Sequence, residues 1–169
     1  MHEMQVYGVS FDLVGKQPIV LLKTVDGNKF LPIWIGHSEA AAILMKLQNA
    51  SVPRPMTHDL VTEILRELDA QVTRVAVTEL RENTFYAQVT VQQDGSEVEI
   101  DSRPSDAIAL AVRASAPIFV ADEVIEESGI EFEGEGEPAN EDVEAKVSEF
   151  REQLDTLTPD DFATGPEDE

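Results

Sequence analysis

Two segments of this chain carry so few polar side chains that a helix formed from either of them must be buried. They are residues 40–47 and residues 107–112. A helix that is apolar on every side belongs in a protein interior. Each segment follows three runs of strand-like residues. We therefore predict one compact α+β domain over residues 1–130, in which two three-stranded antiparallel meanders each lead into a buried helix.

The first meander is predicted from alternation and turn residues. Residues 4–14 alternate between apolar and polar side chains, which indicates a strand with Ser10 on its wet face. The continuous apolar run at 19–22 is typical of a central strand that is buried on both faces. Asp26-Gly27 is a strong hairpin signal and leads into the third strand.

The second meander has the same organisation. Residues 71–80 and 84–93 have strand patterns, and Asp94-Gly95 predicts a hairpin to a further strand at 96–101. A short strand at 117–120 follows the second buried helix. Each meander also runs into a similar tripeptide, Ser38-Glu39-Ala40 or Ser105-Asp106-Ala107. This match indicates either two related βββα halves, with Glu39 and Asp106 in matching places, or a chance similarity.

A further helix is predicted to begin at Thr57, which would cap it as Ser38 would cap the first helix. Its apolar residues recur at the spacing of an amphipathic surface helix: Leu60, Val61, Ile64, Leu65 and Leu68. At about 100° per residue, His58 falls at the edge of this stripe. The pattern therefore places His58 at a boundary between core and solvent, where a cleft residue would lie.

Charge divides the chain into two unequal parts. It has 12 basic and 34 acidic residues and a net charge of −22. Residues 1–130 hold 10 basic and 19 acidic side chains, whereas residues 131–169 hold 2 and 15. We predict an acidic flexible linker at 131–141 and an acidic tail at 142–169 with one short amphipathic helix. The tail either solvates the protein or competes with nucleic acid for a basic patch.

Several classes of protein and site are excluded by what the sequence lacks. Without cysteine there is no disulfide, thiolate zinc site or cysteine nucleophile, which suits a reducing compartment. The first nine residues have no signal-peptide pattern, and no apolar run approaches the roughly 18 residues that span a membrane. We therefore expect a cytoplasmic protein without membrane contact. No phosphate-binding glycine loop, nucleophile elbow or zinc-protease motif is present.

The polar residues that remain lie at the ends of predicted elements. Arg54 and His58 flank the start of the second helix, where they could hold a phosphate and move protons, or could be an ordinary surface charge and a locally satisfied side chain. At the third helix, Asp101 and Asp106 could bind a hard cation and Arg103 a phosphate. The same residues are also ordinary helix-start chemistry, because a serine, a proline and an acid commonly open a helix.

The order of these motifs resembles the bifunctional nuclease domain family over about residues 4–130. Part of the tail, residues 150–155 (FREQLD) and 158–162 (TPDDF), is similar to the C-terminal segment of many bacterial members. The blocks that carry the resemblance are residues 31–36 (LPIWIG), 38–42 (SEAAA), 54–60 (RPMTHDL), 84–87 (TFYA), 102–111 (SRPSDAIALA) and 117–120 (PIFV).

The resemblance implies a self-associating α+β domain, for which we favour a dimer, with nuclease activity on DNA and RNA. It also implies a candidate site at the matching polar positions: Glu39, Arg54, His58, Asp101, Arg103, Ser105 and Asp106. We expect Mg²⁺ or Mn²⁺ on Glu39, Asp101 and Asp106, and phosphate contacts from Arg54, Arg103 and Ser105. His58 would act as general acid and base, with Asp106 and Arg103 as its catalytic partners.

Two alternatives to the nuclease stay open. A net charge of −22 opposes encounter with a polyanion, so a slow or regulated enzyme fits better than a rapid one. The first alternative is an oligomeric binding or regulatory module without catalysis. The second is that His58, Arg103 and Asp106 form a structural polar network at a subunit interface.

Overall fold

A computed structural model describes residues 1–12, 14–131, 152 and 156–163 of the chain. Glu131, the first residue of the predicted linker at 131–141, is in a strand, whereas residues 132–141 and most of the predicted tail lie outside the described residues. The strands are β1 (His2–Phe11), β2 (Pro18–Thr24), β3 (Lys29–Trp34), β4 (Ala70–Arg81), β5 (Thr84–Gln93), β6 (Ser96–Ser102), β7 (Ile118–Val120) and β8 (Ile130–Glu131). The helices are α1 (His37–Leu47), α2 (Thr57–Glu67), α3 (Pro104–Ala114), α4 (Asp122–Ser128) and a short 3₁₀ helix (Pro159–Phe162).

The described strands form one sheet in the order β6-β5-β4-β7-β1-β2-β3-β8. Both predicted meanders are confirmed, as β1-β2-β3 and β4-β5-β6, and all their pairs are antiparallel. The three-residue strand β7 lies between them. Its residue Ile118 is opposite Met4 on β1 and opposite Val75 on β4, where the pairing is parallel. This short strand therefore joins two local meanders into one sheet.

The two apolar helices are buried, as predicted. Ile43 on α1 and Ile108 on α3 are fully buried, together with Leu22 and Leu31 of the first meander. α3 contacts α1 on one side and α2 on another, and it also contacts β4 and β5. Because α1 and α3 follow the two meanders and contact each other, the two halves of the domain share one core. No helix in the described part of the chain is long and apolar enough to cross a bilayer.

One part of the tail is anchored on the domain. Phe162, in the 3₁₀ helix, is buried, and its ring stacks on Phe11 with 4.5 Å between ring centroids. The Gln48 side chain also donates a hydrogen bond to the carbonyl of Leu157. Residues 156–163 therefore cover the α1 side of the core.

Two details of the sequence prediction are wrong. Ser10 is fully buried, because β1 lies inside the sheet and an extra residue at Tyr7 in its register with β2 breaks the simple alternation. The helices α1 and α2 begin earlier than predicted, so Gly36 and Met56 are the N-cap residues in place of Ser38 and Thr57.

The predicted apolar stripe of the amphipathic surface helix α2 is confirmed. Only part of that stripe faces the core, since Leu60, Ile64 and Leu68 are about half exposed. Val61 and Leu65 pack against the core at its edge. Helical spacing identified the amphipathic helix correctly, but it could not tell how far the helix is embedded.

Candidate active site

Four of the seven predicted site residues form one chain of hydrogen-bonded ion pairs. The Arg103 guanidinium donates from Nη2 to Glu39 Oε1 and from Nε to Asp106 Oδ2, each at 2.7 Å. His58 Nε2 lies 2.8 Å from Asp106 Oδ1. The order of the chain is therefore Glu39, Arg103, Asp106 and His58, with residues from three different helix starts.

These positions follow from how the helices begin. Glu39 and Asp106 are each the third residue of their helix, α1 and α3, and Arg103 is the N-cap residue of α3. A carboxylate in a first turn is stabilised by the positive end of the helix dipole. The match between the two tripeptides noted in the sequence therefore corresponds to equivalent places in the fold. Because α1 and α3 contact each other, a single arginine can reach both carboxylates.

Gly36 leaves the space that the Glu39 carboxylate occupies. A Cβ atom at position 36 would lie 2.2 Å from Glu39 Oε2, far inside van der Waals contact. Glu39 is itself held on the other side by Arg103. A side chain at position 36 would thus displace Glu39 from the chain of ion pairs.

The electrostatics favour the charged forms of the central pair. Burial alone would raise the pKa of Asp106, but hydrogen bonds from Arg103 and His58 outweigh it and hold that pKa below its ordinary value. Hydrogen bonds to Asp106 and then to Glu39 raise the pKa of Arg103. Asp106 is therefore an anion that orients both of its neighbours.

The hydrogen bond to Asp106 fixes the orientation of the His58 ring. Since Asp106 is ionised and can only accept, His58 donates its Nε2 hydrogen to Oδ1. A neutral imidazole in this tautomer has Nδ1 as its proton acceptor. Nδ1 makes no hydrogen bond with any of the described residues. The side chain is 12% exposed, so it lies at the boundary of core and solvent that helical spacing predicted.

The other three predicted residues are not part of this chain. Ser105 is buried in the first turn of α3, and no hydrogen bond joins it to Arg103 or His58 within the described part of the protein. Asp101 is exposed near the end of β6, opposite Gln88, and contacts none of the four residues. Arg54 lies in the connector before α2 and lines a separate cavity.

The sequence analysis missed a second ion pair beside the site. Arg113 is only 5% exposed and donates to Asp59 Oδ1 at 2.7 Å. It also donates to the carbonyl oxygens of Ala109 and Ala42, so it ties α2 and α1 to α3. Asp59 in turn accepts from the Met56 backbone N–H. The available signal was an arginine seven residues after Asp106 in an otherwise apolar helix, which places both on one helical face.

The donor set suits a hard cation that needs few protein ligands. No group of three His, Asp or Glu side chains that could hold a metal ion is found among the described residues. Glu39 and Asp106 nevertheless converge on one cation, the Arg103 guanidinium. Mg²⁺ is commonly bound by one or two carboxylates together with water and substrate phosphate. Two such carboxylates at one position fit that mode of binding.

The fold and the site define a class of protein. It is a single α+β domain in which acidic, arginine and histidine side chains from three helix starts form one hydrogen-bonded chain. The family model for the bifunctional nuclease domain matches residues 20–133, and the chain belongs to this family. An uncharacterized protein of Mycobacterium tuberculosis is 38% identical over 164 residues, which is 96% of this chain and 98% of that protein.

Plant proteins named for nuclease activity are also similar. Bifunctional nuclease 1 of Arabidopsis thaliana is 32% identical over 107 residues, or 61% of this chain and 33% of the plant protein. Bifunctional nuclease 1 of Oryza sativa subsp. japonica is 30% identical over 115 residues, which is 66% of this chain and 35% of the plant protein. The similarity thus covers about a third of each plant protein.

Proposed function

We propose that this protein is a nuclease that hydrolyses phosphodiester bonds of DNA and RNA with the help of a divalent cation. The observation that carries the proposal is the chain of Glu39, Arg103, Asp106 and His58, in which an arginine and a histidine share one carboxylate. Membership of the bifunctional nuclease domain family and the names of the plant relatives support it.

Arg103 would position the phosphate. Its side chain is 66% exposed, so a polyanion can reach it from solvent. Two of its five N–H donors are used by Glu39 and Asp106, and three remain. Arginine holds phosphate through paired N–H donors in one plane. Glu39 and Asp106 would therefore fix the guanidinium plane against which the scissile phosphate lies.

His58 would transfer protons during hydrolysis. With Nε2 donating to Asp106, Nδ1 would take a proton from the attacking water and later return it to the leaving oxygen. Asp106 would hold the imidazole in this tautomer and stabilise its protonated form.

Glu39 and Asp106 would hold the Mg²⁺ or Mn²⁺ ion together with water and substrate phosphate, whereas Asp101, the third predicted ligand, forms no metal-binding group with them among the described residues. When bound, such an ion would polarise the phosphoryl group and offset the negative charge of the protein near the substrate.

Two broader properties belong to the same proposal. The net charge of −22 opposes approach to nucleic acid, so we propose a slow or regulated enzyme of the cytoplasm. We also propose self-association, with a dimer favoured, which is supported by the exposed apolar stripe on α2.

A non-enzymatic role for the same residues has one observation in its favour. Arg103 already has a carboxylate on two of its donor nitrogens, as expected of a structural network or of a binding module that holds its residues in place. Such a protein would cleave no phosphodiester bond with any metal ion.

The test is cleavage of fluorescent single-stranded DNA and RNA in Mg²⁺, Mn²⁺ or EDTA by wild type, His58→Ala, Asp106→Asn and Asp101→Asn. We expect metal-dependent cleavage, a loss of about 10²- to 10⁴-fold without His58 and a large loss in Asp106→Asn, whereas an unchanged rate in Asp101→Asn would exclude Asp101 as a metal ligand. His2→Ala and Asp122→Asn are matched controls, because this His–Asp pair lies elsewhere on the protein surface. Absence of cleavage by folded wild type would support the non-enzymatic role, and equal rates of cleavage in all variants would refute the assignment of these residues as the active site.

A further inference from the structure

A cavity of about 600 Å³ lies next to the site residues. It is bounded by the end of α1, the connector between α1 and α2, and the first turns of α2. Asp59, the neighbour of His58, forms part of its wall. Its charged lining residues are Lys46, Arg54, Asp59, Glu63 and Arg113.

The charges that line this cavity do not cancel. Asp59 is neutralised by Arg113, and Glu63 is paired with Arg66 outside the cavity. Lys46 and Arg54 have no carboxylate partner among the described residues, and every other arginine there is in an ion pair. In a chain with a net charge of −22, this concave surface therefore keeps two unneutralised positive charges.

We propose that the cavity is a second phosphate subsite, in which Lys46 and Arg54 hold a phosphate of the same nucleic-acid strand that reaches Arg103. This inference rests on the proposed function. Asp106 and Arg113 are seven residues apart on α3, which separates Asp106 from this wall of the cavity by about 10 Å at 1.5 Å per residue. A phosphate in the cavity and a phosphate at Arg103 would therefore belong to different nucleotides of the strand. The preferred ligand is thus a strand of several nucleotides and not a mononucleotide.

Lys46 and Arg54 would also attract nucleic acid locally, although the whole molecule carries a net charge of −22. Each lysine or arginine that contacts a phosphate releases counterions, so binding weakens as salt is added. For single strands the slope of log K against log salt changes by about 0.7 per contact. Lys46 and Arg54 should therefore account for a measurable share of this slope. If the two residues had only a structural role, their substitution would leave the slope unchanged.

The experiment measures fluorescence anisotropy of a labelled oligothymidylate of about twelve nucleotides in EDTA, where no metal-dependent cleavage occurs. Wild type is compared with Lys46→Gln and Arg54→Gln, and Lys16→Gln removes one charge from an exposed turn as the matched control. We expect roughly three- to tenfold weaker binding in each cavity variant and a salt slope smaller by about 0.7. Lys46→Arg should restore binding, and Lys16→Gln should bind like wild type.

Failure of this inference can be distinguished from failure of the proposed function. If wild type cleaves nucleic acid but the cavity variants bind as Lys16→Gln does, the subsite is refuted and the nuclease stands. If binding depends on Lys46 and Arg54 but nothing is cleaved, the subsite stands and the nuclease is refuted. No binding to wild type refutes the subsite directly. Thermal melting of each variant confirms that these exposed substitutions leave the fold intact.

Discussion

At the scale of single residues, Arg103 links two carboxylates that are far apart in sequence, and Glu39 is 64 residues away from it. All three long helices have an acid as their third residue: Glu39, Asp59 and Asp106. Each of these acids accepts from an arginine, Arg103 or Arg113. The preference for an acid in the first turn of a helix therefore accounts for the acidic residues of both ion-pair networks.

The Gly36→Ala variant tests the packing of Glu39. The new Cβ would meet Glu39 Oε2 at 2.2 Å, so the carboxylate must leave Arg103. We expect about tenfold or greater loss of nuclease activity with a small change in melting temperature. Gly15→Ala is the control, because its nearest neighbour would lie at an ordinary 3.6 Å. Equal activity of the two variants would show that Glu39 is not needed where the structure places it.

Acid should weaken the contribution of Asp106 to stability. Its folded-state pKa is lowered, since bonds from Arg103 and His58 outweigh the effect of burial. A lowered pKa stabilises the fold above the ordinary carboxyl value of about 3.9, and this contribution fades as pH falls below it. In urea unfolding, the stability difference between wild type and Asp106→Asn should shrink as the pH falls from about 4 towards 3. A difference that grows over this range would contradict the prediction.

At the scale of elements, α2 is the least embedded of the three long helices, and side-chain contacts fix its first turn. His58 contacts Asp106 near the start of α3, and Asp59 contacts Arg113 near its end. The position of His58 thus depends on contacts at both ends of α3. Helix periodicity predicted α2 and its boundary residue, but not this clamp, because a pairing across 54 residues leaves no local pattern.

The Arg113→Met variant should loosen this clamp. It leaves Asp59 without its partner and two carbonyl oxygens without their donor, which costs about 2–4 kcal/mol of unfolding free energy. Arg66→Met is the matched control, since Arg66 is exposed and solvent screens its ion pairs, so its removal should change the free energy of unfolding little. Chemical denaturation measures both variants. Similar small losses in the two would mean that Arg113 does not hold the helices together.

At the scale of the whole molecule, the meanders, buried helices and turns could be predicted because they follow from local patterns. The strand β7 was also predicted, but its position between the two meanders could not be, because its pairing with β1 and β4 joins residues far apart in sequence and leaves no local pattern. The same limit applies to the site. Glu39, Arg103, Asp106 and His58 were predicted as candidates, whereas the order of their contacts and the separate position of Arg54 depend on how the two halves meet.

The exposed stripe of α2 leads to a prediction about assembly. Met56, Leu60, Ile64 and Leu68 are exposed at a spacing of four residues, so they lie along one side of the helix. We expect a second copy to cover this stripe, and Ile64→Asn should shift the protein to monomer in sedimentation or light scattering. Val14→Asn, at a highly exposed valine outside the helix, should leave assembly unchanged. A wild-type monomer, or an unchanged oligomer in Ile64→Asn, would contradict this.

The most direct test of the central claim is the cleavage rate of a labelled single strand, with Mg²⁺ or Mn²⁺, by Arg103→Met beside Arg66→Met. Both arginines are exposed and paired with two acids, but only Arg103 connects Glu39 to Asp106. We predict that kcat/KM falls by about 10²- to 10³-fold in Arg103→Met and stays at the wild-type value in Arg66→Met. Equal rates in the two variants would contradict the assignment of this cluster as the active site.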